Sequence, residues 1–133
     1  MTADDLAAAL RACAAGLYPL EAGTALLIAN GTFLRRDDFT SRFIQHGTSI
    51  SDGTTLMAAI DWDAAITALH AGELPCSGGE RRVLGLSASL AGGIPVDLRE
   101  AVTGLDGGNI ARLVTAVLHA GNDRRTANIH DHF

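Results

Sequence analysis

Glycines near positions 16, 31, 47, 72, 92, 104 and 121 each follow a run with helical apolar spacing, and most of those runs open on a residue that caps a helix. A glycine just past the last periodic residue ends a helix because it takes the left-handed conformation without a Cβ penalty. Punctuation this regular leaves room for little except short helices. Thr2, followed by Asp5, opens the first, with Leu6, Ala9, Leu10 and Cys13 as its inward stripe. Pro19 suits a first helical position, and the second helix runs to about Ala29 with Leu20, Leu27 and Ile28 inward before Asn30-Gly31. Asp37 caps a short third helix carrying Phe39, Phe43 and Ile44. Asp61 caps a fourth, on which Trp62, Ala65, Ile66 and Leu69 share a face.

The stretch from Cys76 to Gly121 holds three more. Ser77 and Glu80 form a capping box for a helix that runs to about Ala91 and stops at Gly92-Gly93. Val96 and Asp97 open the next, with Glu100 completing a second box and Gly104 as the stop. Asp106 caps the last, whose apolar residues Ile110, Leu113, Val114, Val117 and Leu118 lie on one stripe. Asn109, Arg112, Thr115 and His119 fall on the other side. That stripe is expected to pack against the helices at 78–91 and 62–71. Leu113→Ala is then expected to lower stability sharply and His119→Ala to change it little.

Residues 47–55 form the one clear loop and a candidate seam between halves, and 56–60 read either as a short strand or as the lead into a helix. The expected fold is therefore all-α, a single domain of about seven short helices over residues 1–121, with 122–133 as a flexible C-terminal tail.

Composition agrees. The chain of 133 residues suits one domain with a real core, and it is 47% hydrophobic but only 5% aromatic, so alanine and leucine fill the interior and helices approach closely. No apolar run nears the roughly 20 residues that span a bilayer, and no basic segment followed by an apolar core opens the chain. Cys13 and Cys76 are isolated in sequence. A reduced, cytoplasmic protein without a membrane partner is the expectation. The net charge is −5 and all the basic residues are arginine. That balance weighs against non-specific nucleic-acid binding, which depends on neutralising phosphates.

Candidate chemical groups are few. Cys76 precedes a helix N-terminus with Arg81 and Arg82 nearby, a setting that lowers a thiol pKa. It is the candidate reactive thiol, against the plainer reading of a partly buried cysteine with no histidine beside it. His130 and His132 flank Asp131, short of the four ligands a closed zinc site needs. Asp37-Asp38 and Asp61-Asp63 pair carboxylates, but at helix starts, where acids cap amides anyway. The arginine pairs Arg35-Arg36, Arg81-Arg82 and Arg124-Arg125 make an anion site only if they converge. No cofactor and no metal is expected.

Two resemblances bear on function. The segment Cys-Ser-Gly-Gly-Glu-Arg-Arg resembles the signature loop of ABC transporters, but the chain has no lysine for the Gly-Lys-Ser/Thr loop that holds their nucleotide. The segment ERRVLGLSASLAGGIPVDLREAVTGLDGGNIARLVTAVLHAG, residues 80–121, resembles the helix-turn-helix region of MarR-type winged-helix regulators. That likeness implies a supporting helix with Leu98, Ala101 and Val102, a turn at Gly104-Leu105-Asp106, and a recognition helix. It places Gly107, Gly108, Asn109 and Arg112 toward DNA, and Arg124 and Arg125 on phosphates. As a whole, the chain also resembles small helical proteins of high-GC actinobacteria that share Leu-Pro-Cys-Ser-Gly-Gly-Glu-Arg-Arg and Gly-Leu-Asp segments, a likeness that implies no activity.

With no complete catalytic set beside a large apolar inventory, the expected function is a non-enzymatic helical interaction or regulatory module. Its partner is another protein or a second copy, giving a homo-oligomer. The alternative is a helix-turn-helix DNA-binding regulator using residues 97–120.

Overall fold

The computed structural model describes residues 1–121. In chain order it contains α1 (Ala3–Ala14), α2 (Tyr18–Asn30), a 3-10 turn (Phe33–Arg35), α3 (Asp37–Phe43), β1 (Ile44–Thr48), β2 (Leu56–Ile60), α4 (Trp62–His70), α5 (Gly78–Gly92), α6 (Leu98–Thr103) and α7 (Gly107–Ala120). The protein is predominantly helical, with one small antiparallel sheet among the described residues. The expectation of a purely helical fold is corrected on that point.

The helix starts follow from their caps. Thr2 and Asp5, and Ser77 and Glu80, make reciprocal capping boxes. Asp61, Asp97 and Asp106 each accept the backbone N–H of the residue three positions on, Ala64, Glu100 and Asn109. No helix of the described residues is long and apolar enough to cross a membrane.

α2 is the spine. It is apolar around its whole circumference, which suits a helix packed on several sides, and it contacts α1, α5 and α7. The approach to α5 is close because Gly23 has no side chain. A Cβ there would sit 2.5 Å from the Ser87 carbonyl oxygen and 2.6 Å from the Ala91 Cβ. Two apolar clusters meet along this spine. One joins Leu6, Leu10 and Leu27 to Phe33, Phe39, Phe43, Trp62, Ile66 and Leu84. The other joins Ala22 and Leu26 to Val83, Leu86, Ala101, Leu113 and Ala116. Residues from both sides of the candidate seam share the first cluster, so segment 47–55 turns a hairpin inside one packed unit.

The hairpin runs from Ile44 paired with Ile60 to Thr48 paired with Leu56. β1 therefore takes over the end of the expected third helix and the first residues of the expected loop. Ile44 stays buried, as a strand residue. Within the turn the Asp52 carboxylate accepts from the backbone N–H of Thr54 and Thr55, both at 2.9 Å. The Thr55 hydroxyl also donates to it, and that bond first, followed by the two backbone bonds, holds the carboxyl down at about 2. α1 lies across β2, and Cys13, expected in the buried stripe of α1, is exposed.

The largest correction concerns α7. Its buried residues are Asn109, Leu113 and Ala116, whereas Val114 and Val117 are 53% and 52% exposed. The inward face is turned by about one residue step, roughly 100°, from the centre of the large apolar side chains. The turn follows from the helices that α7 meets. α7 lies mainly on α2, with α5 beside it, and α2 takes the place expected of the helix at 62–71. Ala116 packs with Ala22 and Leu26, and Leu113 joins them, in the second cluster, while the two valines are left outside.

Candidate functional site

Turning α7 this way gives it two unlike flanks. On one flank Arg112, Thr115 and His119 face Arg11 of α1 across the exposed alanines of α2. The floor beneath them is small and apolar: Ala22, Ala25, Leu26 and Ala29, with Ala116, complete a hollow of about 280 Å³. A second hollow of about 220 Å³ shares Arg11, Ala25 and His119 and is closed by Ala14, Glu21 and Thr24. Together they form a groove over α2.

One end of the groove is held by a defined network. His119 Nε2 lies 2.7 Å from Glu21 Oε1, and the Gly16 backbone N–H donates to Glu21 Oε2 at 2.8 Å. The Tyr18 ring meets the His119 ring edge-on, with centroids 5.7 Å apart. The Gly16 N–H first, and His119 second, hold the Glu21 carboxyl below the usual glutamate range. The outward, unengaged position expected for His119 is thus corrected: it ties α7 to the turn between α1 and α2.

At the other end Arg112 Nη1 donates to Asn109 Oδ1 at 3.0 Å. Asn109 itself is only 8% exposed. Its backbone N–H donates to Asp106 Oδ1, and its side-chain oxygen also accepts from Asn30 at 3.5 Å. Its expected outward placement is corrected, because the side chain turns inward and is engaged by the Asn30, Asp106 and Arg112 side chains. Arg112 also lines the groove. No described carboxylate lies within ion-pairing distance of Arg11 or Arg112.

The opposite flank of α7 carries Ile110, Val114 and Val117, spaced four and three residues apart so that they stack along the helix. The two valines are more than half exposed, although the helix bearing them is capped and packed.

The remaining candidates lie apart. Cys76 is partly buried at the start of α5, where burial and then the Glu80 carboxylate push its thiol pKa up against the opposing pull of Arg36 and Arg81. The expectation of a lowered pKa is corrected. Arg36 makes a two-pronged contact with Asp38 at 2.9 and 2.6 Å. Arg81 and Arg82 both reach Glu100, and Arg82 passes over Gly104, where a Cβ would sit 2.2 Å from its Cζ. Arg124 and Arg125, the His130-Asp131-His132 run and the tail at 122–133 lie outside the described residues. Among the described residues no three His, Cys, Asp or Glu side chains are grouped to hold a metal.

No family model, no curated protein and no solved structure matches this chain.

Sequence reasoning missed the groove because Arg11 and His119 come from opposite ends of the chain. The one available signal was the recurrence of alanine at 22, 25 and 29 on α2, which marks a helix face that something else approaches closely.

Proposed function

We propose that this protein is a non-enzymatic interaction module that self-associates through α7. The observation that carries the reading is the flank on which exposed Val114 and Val117 line up with half-buried Ile110, on an otherwise well-seated helix. Isolated exposed apolar residues are ordinary, whereas aligned ones mark contact surfaces. A four-then-three spacing is the seam that two helices share when they cross at a shallow angle. A two-fold axis through the flank lets each copy cover the other's valines with the same surface.

Sedimentation velocity at micromolar concentration tests it. The wild type is expected as a dimer, and Val117→Arg, which sets like charges face to face across the axis, is expected as a monomer with unchanged helical circular dichroism. A monomeric wild type, or a dimer that Val117→Arg leaves intact, contradicts the proposal.

A further inference from the structure

The groove on the other flank of α7 carries an independent inference. The geometry points to a binding site for a small organic carboxylate with an apolar body of about one aromatic ring. Arg11 and Arg112 come from different helices and line the same hollow. Neither has a carboxylate partner among the described residues, in a chain whose net charge is −5. Two guanidinium groups with no carboxylate beside them at one hollow of an acidic protein favour an anion, and a carboxylate matches the planar fork of their donors.

The floor decides what the anion carries. Ala22, Ala25, Leu26, Ala29 and Ala116 offer no hydrogen-bond partner from their side chains, and all the α2 residues among them lie within the helix, where N–H groups are already engaged. A hydrated inorganic ion would leave this surface unused, whereas a hydrocarbon body would remove it from water. Binding sites of this kind combine an apolar lining with a few convergent polar groups. A cavity of about 150 Å³ takes up benzene, so hollows of about 280 and 220 Å³ that share lining residues accommodate one ring and a short linker. Nearby acids set the polarity. Glu21 is engaged by Gly16 and His119 at the far end, and Asp106 is occupied by the Asn109 N–H, so the carboxylate is placed between the two arginines and the ring over Ala25.

Calorimetric titration of the full chain with 3-phenylpropionate, 3-phenylpropanol and inorganic phosphate tests this. Saturable binding of 3-phenylpropionate is expected, with the uncharged alcohol about tenfold weaker or worse. Arg11→Gln, an exposed residue outside every hydrogen bond described for the site, should weaken the acid about tenfold and leave the alcohol unchanged. Ala25→Glu places a carboxylate in the groove from an exposed helical position and should abolish binding, while Arg99→Gln should have no effect. Equal binding of acid and alcohol, displacement of the acid by equimolar phosphate, or no saturation by the acid overturns the proposal. Because the valine flank is on the opposite edge of α7, sedimentation of Arg11→Gln should match the wild type.

Discussion

Gly23 and Glu21, two residues apart, show how single positions are constrained by neighbours far along the chain. At Gly23 the backbone of α5 occupies the space a side chain would need. Gly23→Ala therefore forces α2 and α5 apart, and overpacking of this kind typically costs about 1–3 kcal/mol. A fall in the urea midpoint checks it, and an unchanged midpoint would mean that the two helices are less close than described. Glu21 acts through charge. Its pKa is lowered in the folded state, so the folded protein binds that proton less readily than the unfolded chain. Its contribution is present above the ordinary glutamate value of 4.5 and is lost as pH falls through the lowered one. Glu21→Gln should accordingly be less stable than the wild type at about pH 7, with the gap closing toward about pH 3. A gap independent of pH would remove the carboxylate from the account.

Element boundaries were legible where a local cap defined them. Thr2, Asp61, Ser77, Asp97 and Asp106 all cap the helices expected of them, because a capping bond involves only residues three apart. The hairpin was only half legible. Leu56 to Ile60 read as a strand or a helix lead, and the partner Ile44–Thr48 was hidden because Gln45, His46 and Gly47 have no apolar alternation. The rotation of α7 was not legible at all. Its hydrophobic pattern is satisfied by a face centred on the valines, and only the tertiary approach to α2 selects the face of Asn109, Leu113 and Ala116. The groove was hidden for the same reason, since it exists only once α7 is turned.

For the molecule as a whole, the consequence of that turn is a helix with Asn109, Leu113 and Ala116 inside, an apolar flank carrying Val114 and Val117 and a flank carrying Arg112 and His119 over α2. Both functional readings depend on it. The decisive measurement is the urea unfolding of Leu113→Ala beside Val114→Ala, made at a dilution where the chain is monomeric. Leu113 is buried in the second cluster, and its truncation should cost about 2–5 kcal/mol. Val114 stands in solvent on the adjacent position and its truncation should stay within about 0.5 kcal/mol. Comparable losses from the two, or the larger loss from Val114→Ala, would show that the valine face is the buried one and would contradict the account.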